Sequence, residues 1–330
     1  MEKGLIAISG ATGFLGSALV KHFLSEGYRV RAHAHTENKA DRIDSRVEDI
    51  VVGEISDDAM IAKLVKSADF VIHTVSNFRY ASGKAESYRR INVTGTKLLI
   101  DAAAEAGVKR FVHCSTIGVH GDVAKTPAAE DAPFNPGDLY QETKLESEEY
   151  VRLKMEKSDM EIVVIRPCSM YGPGDLRMLK MFKMLSKGRF FFLGKCKENF
   201  HAVYIDDVVS AFAKALTVEG VDGEVFIVGG PDGYQPLRDY VGEVAKALAA
   251  RPPKLTLPYG LFYAVATLCE MICVPLGVEP ILHRRRVRFY KNNRAFDTGK
   301  AEHVLQYQPS VSLQEGMKRT VAWYREQGLL

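Results

Sequence analysis

The chain has 330 residues, 46% of them hydrophobic and 26% charged, enough apolar material for a buried core, which excludes disorder as the starting reading. A single core reaches its limit near this length, so a main domain with a smaller, closely packed appendage is expected. A formal charge of +3 is too mild for a nucleic-acid binder. Five cysteines with no paired metal spacing exclude a secreted disulfide framework, and predict a metal-free protein of the reducing cytoplasm.

From Met1 and Lys3 the chain passes directly into a strand-like run, Leu5–Ser9, with no export signal visible ahead of it. Gly10-Ala11-Thr12-Gly13-Phe14-Leu15-Gly16 follows, opening a helix whose apolar positions include Leu15, Leu19, Val20 and Phe23. Glycine at 10 and 13 permits a tight turn in which backbone N–H groups approach a pyrophosphate, and Gly16 lets the helix pack on the strand. The helix N-terminus adds partial positive charge. The spacing G-x-x-G-x-x-G is one residue longer between its first two glycines than the standard dinucleotide fingerprint. An ordinary glycine-rich turn is the competing reading, and the strand–turn–helix setting favours a dinucleotide.

The second strand, Arg29–Ala34, ends in Ala32-His33-Ala34-His35-Thr36. A carboxylate about 20 residues beyond the glycines would bond the ribose 2′-hydroxyl of NAD, and none is present here. Arg31, His35, Lys39 and Arg42 offer charge or donors instead, which predicts NADP as cofactor, with NAD as the alternative if these bases form only a solvated loop.

Further short runs, Asp49–Val52, Phe70–Thr74, Arg110–Cys114 and Glu161–Arg166, alternate with amphipathic stretches. That rhythm predicts an α/β fold, a doubly wound parallel sheet with helices on both faces. Continuous apolar runs suit strands covered on both sides. Cys114-Ser115-Thr116 closes one such strand, at the carboxyl end where open α/β sheets bind ligands. Thr116 or Ser115 can there donate a hydrogen bond to a substrate oxygen, or simply cap the strand.

Tyr140-Gln141-Glu142-Thr143-Lys144 sets a phenol and an ammonium four residues apart, on one face of a helix. A free phenol ionises near pH 10, so proton exchange near neutrality requires the phenolate to be favoured. Lys144, with a positive nicotinamide, would supply that bias. Taken alone the pair is more readily a surface coincidence.

After Arg166-Pro167 the pattern changes. Tyr171-Gly172-Pro173-Gly174 is a turn, Arg177–Lys187 reads as a helix, His201–Leu216 and Glu224–Val228 are expected to rejoin the main sheet, and Leu237–Ala250 reads as another helix. Tyr259–Val278 is apolar but broken by Glu270 and Pro275, so no membrane span is expected. Within it Leu261, Phe262, Val265, Leu268 and Ile272 form a helical stripe that would roof an apolar pocket or belong to the core. His283-Arg284-Arg285-Arg286-Val287-Arg288 would bind a carboxylate or phosphate, touch an anionic membrane surface, or form a solvated basic face.

In this order, the glycine turn, the strand-end hydroxyl and the Tyr-Lys pair resemble the extended short-chain dehydrogenase/reductase family of NAD(P)-dependent epimerases and dehydratases, over nearly the whole chain. Asn92-Val93-Thr94-Gly95-Thr96, Val108-Lys109-Arg110-Phe111-Val112 and Val203-Tyr204-Ile205-Asp206-Asp207-Val208 strengthen the likeness. It implies a Rossmann-type domain from 1–170 with 201–232, and a discontinuous substrate domain from 171–200 with 233–330. It implies Thr116, Tyr140 and Lys144 as the catalytic trio, Thr116 being preferred to Ser115 because it precedes Ile117-Gly118-Val119-His120-Gly121 at the family's spacing. Cofactor contacts are expected from Gly10, Thr12, Gly13, Phe14, Leu15 and Gly16, from His35 and Arg42, from Thr74-Val75-Ser76, from Tyr140 and Lys144, and from Pro167 and Met170. The Thr74–Ser76 stretch departs from the family's common alanine pair, and His120 replaces a common tyrosine, which puts substrate contacts in doubt.

Leu257-Pro258-Tyr259, Arg286-Val287-Arg288, Phe296-Asp297-Thr298-Gly299-Lys300-Ala301 and Tyr307-Gln308-Pro309 look most like the 3β-hydroxysteroid and sterol dehydrogenase branch. The likeness implies hydride transfer between nicotinamide and a secondary alcohol or ketone of a largely apolar small molecule, sterol-like or a 3-hydroxy acid. A nucleotide-sugar epimerase or dehydratase is the alternative, its diphosphate held by the basic C-terminal residues. A non-catalytic dinucleotide sensor is a third reading, disfavoured because a sensor has no need of Tyr140 with Lys144. By the same analogy a homodimer is expected through the helices at Asn92–Ala106 and Tyr140–Met155.

Overall fold

The computed structural model describes residues 3–78, 85–278 and 280–330. In chain order the strands are β1 (Lys3–Ser9), β2 (Tyr28–Ala34), β3 (Asp49–Val52), β4 (Phe70–His73), β5 (Arg110–Cys114) and β6 (Glu161–Pro167). They are followed by β7 (Ser169–Tyr171), β8 (Phe192–Leu193), β9 (Asn199–Tyr204), β10 (Val225–Val228), β11 (Tyr234–Pro236) and β12 (Thr256–Leu257). The main sheet has seven strands in the order β10-β6-β5-β4-β1-β2-β3, all parallel. Every strand-like run named above up to Arg166, together with Glu224–Val228, lies in this sheet.

The principal helices are α1 (Phe14–Ser25), α2 (Asp58–Val65), α3 (Gly95–Glu105), α4 (Leu139–Met155), α5 (Leu179–Ser186), α6 (Ile205–Thr217), α7 (Leu237–Ala247), α8 (Tyr259–Cys273) and α9 (Leu313–Glu326). Strand residues alternate between two helix layers, as a period of two requires. Ile6, Ile8, Val163 and Ile165 pack with Leu19 and Phe23 of α1 and Phe212 of α6. Ala7, Ile162 and Val164 pack with Leu64 of α2, Leu99 of α3 and Val151 of α4 on the other side. Both layers need apolar partners, which is why the strands read as unbroken apolar runs.

His201–Tyr204 does not rejoin the main sheet. It belongs to β9, the centre of a separate sheet ordered β11-β9-β7, because β10 occupies the edge of β6 through Val225–Val164 and Phe226–Ile165 pairing. Only the helix after it, α6, returns to pack on α1. Asn92–Thr94 sits in a π-helical turn, Arg89–Thr94, that leads into α3. The stripe on α8 is not a pocket roof: Leu261, Val265, Leu268 and Ile272 face solvent, while Phe262 turns inward with Ala266 onto Phe191, Leu193 and Val287. Among the described residues no helix is long and apolar enough to cross a membrane.

Candidate active site

The glycine turn lies at the carboxyl end of β1, between β2 and β4. Gly10 has φ +76, and a Cβ there would come within 2.8 Å of Thr74 Oγ1 and 3.1 Å of the Val75 nitrogen. A Cβ on Gly16 would reach the Gly10 carbonyl oxygen at 2.1 Å. The turn is therefore a cradle that larger residues would fill. Gly13 caps α1 without a side-chain hydrogen bond, and no acid stands in the first turn. The first N–H groups of the helix, at Phe14, Leu15 and Gly16, are thus left for an anion. The Leu15 side chain is core, so its contribution would be backbone. These residues fit the pyrophosphate of a dinucleotide.

His33 fixes the turn to the second strand, accepting from the Gly10 N–H at 3.2 Å through Nδ1 and contacting the Gly53 carbonyl at 3.0 Å through Nε2. Burial holds its pKa below the usual value, so the ring is neutral. His35 is exposed, 3.6 Å from Glu54 Oε1, and Arg42 is exposed nearby in sequence. Arg31 is not available to a ribose phosphate. It lies mid-strand, paired with Ala7 and Asp49, and its guanidinium donates to the Leu64 carbonyl at 3.2 Å and lies in an ion pair 3.6 Å from Asp49 Oδ2.

The next strand end brings Thr74, Val75 and Ser76. Thr74 Oγ1 donates to the Ser9 carbonyl at 2.7 Å, so this hydroxyl ties β4 to β1, and Val75 packs on the α3 and α4 side. The Ser76 hydroxyl is buried near Tyr140 without a hydrogen-bond partner among the described residues. Pro167 ends β6, paired with Val228. Met170 in β7 presents its carbonyl to Arg177 Nη2 at 2.8 Å.

Tyr140 stands in the first turn of α4, whose start is fixed by Asp138 accepting from the Gln141 N–H at 2.9 Å. Its phenol is pushed up to about 12, chiefly by burial and then by Cys114, while the hydroxyls of Ser76 and Thr116 and the charge of Arg177 pull the other way. Lys144, one turn on, is 1% exposed. Its ammonium donates to the Cys114 carbonyl at 2.8 Å and lies 3.4 Å from His113 Nε2. Burial holds Lys144 below its ordinary pKa. In the chain by itself burial is the largest influence on the phenol, and the Lys144 ammonium is directed at the end of β5.

The two hydroxyls after β5 have different employments. Ser115 is 4% exposed and donates to Glu148 inside the core. Thr116 caps the short turn Ile117–His120, accepting from the Gly118 N–H at 3.0 Å, and lies against the phenol. Beneath them Glu148 and Arg166, both 0% exposed, form an ion pair, and Arg166 Nη1 donates to His120 Nε2 at 2.9 Å. His120 is thus a core acceptor rather than a group facing the crevice.

Two arginines at the phenol were not found from the sequence. Arg177 bonds Asp175 at 2.7 Å, lies 5.0 Å from the Phe14 ring and 6.0 Å from the Phe78 ring, and acts on Tyr140. Arg285 bonds Asp138 Oδ2 at 2.8 Å and stands 5.8 Å over the Tyr140 ring. The basic run containing Arg285 was visible; that one of its members would meet α4 across the fold was not.

Residues 6–229 match the model of the NAD-dependent epimerase/dehydratase family. The chain is 28% identical over 346 residues to 3β-hydroxysteroid-dehydrogenase/decarboxylase isoform 1 of Arabidopsis thaliana, covering 95% of this chain and 78% of that protein. It is 28% identical over 338 residues to a UDP-glucose 4-epimerase of Mycolicibacterium smegmatis, covering 96% and 97%. The crystal structure of UDP-glucose 4-epimerase from Thermotoga maritima superposes with a TM-score of 0.80 at 22% identity, covering 98% and 99% of the two chains, and shares the fold. The chain belongs to the NAD-dependent epimerase/dehydratase family and is an enzyme of the extended short-chain dehydrogenase/reductase type.

Proposed function

We propose that this enzyme moves a hydride between a nicotinamide cofactor and a secondary alcohol or ketone of a largely apolar molecule, sterol-like or a 3-hydroxy acid. The observation that carries the reading is the order of groups at the carboxyl ends of the strands: Thr116 capping the turn after β5, Tyr140 in the first turn of α4 and Lys144 bonded to the Cys114 carbonyl, with the glycine cradle at the end of β1. A bound NAD(P) supplies hydride transfer at its nicotinamide ring. Tyr140 gives or takes the proton at the substrate oxygen, and Thr116 orients that oxygen by a hydrogen bond. A phenol pushed up to about 12 is protonated at neutral pH, ready to donate to a carbonyl. Lys144 holds the phenol's turn of α4 against β5 and offers an ammonium to a ribose hydroxyl.

Gly10, Thr12, Gly13, Phe14, Leu15 and Gly16 would hold the pyrophosphate, with Ser76, Pro167 and Met170 along the nicotinamide half. NADP is the cofactor we favour over NAD, because the second strand ends without a carboxylate and His35, Lys39 and Arg42 are exposed there. Glu54, after β3, is countered by Arg90 at 3.3 Å and His35. We further propose a cytoplasmic homodimer through α3 and α4; a monomeric mass at micromolar concentration would remove that part.

The apolar substrate reading draws on the likeness to the Arabidopsis 3β-hydroxysteroid enzyme. The similarity to the M. smegmatis epimerase, with Arg177 and Arg285 beside Tyr140, supports a nucleotide-sugar epimerase or dehydratase as the second reading, the arginines holding a diphosphate. Oxidation assays with NAD and NADP against steroid alcohols, hydroxy acids and nucleotide sugars separate the two. Turnover of steroid alcohols or hydroxy acids is expected; conversion of a nucleotide sugar alone would replace the first reading with the second.

A further inference from the structure

The outer face of α8 and the loop after it expose Leu261, Val265, Leu268, Ile272, Leu276 and Ile281, with Leu276 71% and Ile281 91% exposed. On the helix these residues recur at intervals of three and four, so they form one stripe. The inner face has its partners: Tyr259, Phe262, Tyr263 and Ala266 pack on Phe191, Leu193 and Val287. A soluble surface does not normally collect so many large aliphatic side chains in one place, and a contiguous patch of this kind marks an interaction face.

Charge around the patch is one-sided. Residues 251–294 carry eight lysines and arginines against two glutamates, Glu270 and Glu279, in a chain whose total is only +3. Arg284, Arg286 and Arg288 are exposed immediately after Ile281, Arg284 in an ion pair with Glu270 of α8. The remainder of the chain is net acidic in sum, although residues 176–197 carry seven further lysines and arginines and no acid, and the apolar stripe is followed directly by a basic run. We infer that α8 and its loop dock on an anionic lipid surface, the aliphatic stripe entering the headgroup boundary and the arginines meeting the phosphates. The 15-residue helix is too short to span a bilayer, so it lies in the surface.

A second copy of the chain fits less well. A two-fold contact through this face would set the arginines of one copy against those of the other, whereas an anionic bilayer pairs with them. The docking element is also braced on the helix that carries Tyr140: Arg288 donates to the Gly137 carbonyl at 3.3 Å and to Tyr263 Oη at 3.1 Å, and Arg285 pairs with Asp138. A docked enzyme would hold its crevice near the lipid, and an apolar substrate would pass from one to the other. That last use rests on the substrate reading above; the docking does not.

The test is sedimentation of the full chain with vesicles of phosphatidylcholine alone and of phosphatidylcholine with one-third phosphatidylserine. Binding to the anionic vesicles is expected, weakened by high salt and lowered about tenfold or more in Leu268→Glu/Ile272→Glu, with NAD(P)H fluorescence titration showing that the variant still folds and binds cofactor. Absence of binding to anionic vesicles by the unaltered chain overturns the inference. So does binding that the double substitution leaves unchanged, or self-association of the unaltered chain in lipid-free buffer that the same substitution abolishes. Vesicle binding without turnover of any apolar alcohol would leave the docking intact and remove the substrate reading.

Discussion

The Lys144 ammonium donates to the backbone carbonyl of Cys114 and stands 3.4 Å from Nε2 of His113. A buried ammonium beside a buried imidazole requires the imidazole to stay neutral, and His113 is held well below its ordinary pKa, first by burial and then by Lys144. His73, whose ring lies 5.5 Å from that of His113, is held down by the same two causes. These rings lie on β4 and β5, between the glycine turn after β1 and the Lys144 side chain of α4, so their charge state bears on both.

A pH dependence of stability follows. Histidines whose pKa is lowered in the native state bind protons only when the chain unfolds, so below the ordinary value of 6.5 the unfolded state takes up more protons and native stability falls. The loss is about 1.4 kcal/mol per pH unit for each histidine kept neutral. His33, His73, His113 and His201 are all shifted down. The urea midpoint is expected to be flat from pH 8 to 7 and to fall steeply from 6.5 to 5; a midpoint unchanged over the acid window would contradict the neutral-imidazole arrangement.

Replacing Tyr140 by Phe removes the proposed proton donor while leaving the ring packed near Phe78. The expected result is a loss of kcat of about a hundredfold or more, with NAD(P)H affinity changed less than about threefold, because the phosphate cradle is elsewhere. Stopped-flow turnover and fluorescence titration measure the two quantities. Activity retained in this variant would dismiss the phenol as the acid.

Gly16→Ala tests the cradle. The added carbon would lie 2.1 Å from the Gly10 oxygen, a backbone atom that cannot swing aside, so the turn must open. We expect a stability loss of about 2–4 kcal/mol and cofactor affinity reduced by at least about tenfold, whereas Gly27→Ala, with nothing within 4 Å but φ +80, should lose some stability and keep its cofactor. Equal loss of cofactor in both variants would mean that position 16 acts through stability alone.

The Glu148–Arg166 pair, fully buried under Ser115, gives a fourth expectation. Glu148→Ala leaves an uncompensated guanidinium in the core and should cost about 3–5 kcal/mol. Substituting both members with Glu148→Leu and Arg166→Met should recover a large part of that loss. Chemical denaturation of the single and double variants reads the coupling, and strict additivity would show that the two groups do not depend on each other.

The main sheet was legible because each strand is covered on two sides and so announces itself as an apolar run, as Ile162–Ile165 does. The glycine turn, the strand-end hydroxyls and the Tyr-Lys pair were legible because each is local in sequence. What escaped was non-local. Arg285 reaches Asp138 and Tyr140 across the fold, and the His201–Tyr204 run carries a strand pattern that does not say which sheet it will join. Arg31 was misplaced because strand alternation sends position 31 to the α2 side of the sheet, not to its end. The α8 stripe had the correct period but no sign of which way it faced.

His33 links the phosphate turn to the third strand through one imidazole, with Gly10 on one nitrogen and Gly53 on the other. Anyone seeking to retool this enzyme's coenzyme preference would be drawn to the tip of the second strand, where an introduced acid could grip an adenosine ribose. Position 33 is the wrong place for that exchange, since the altered side chain would unmoor the loop that cradles the phosphates; the solvent-facing neighbour at 35 leaves the mooring in place.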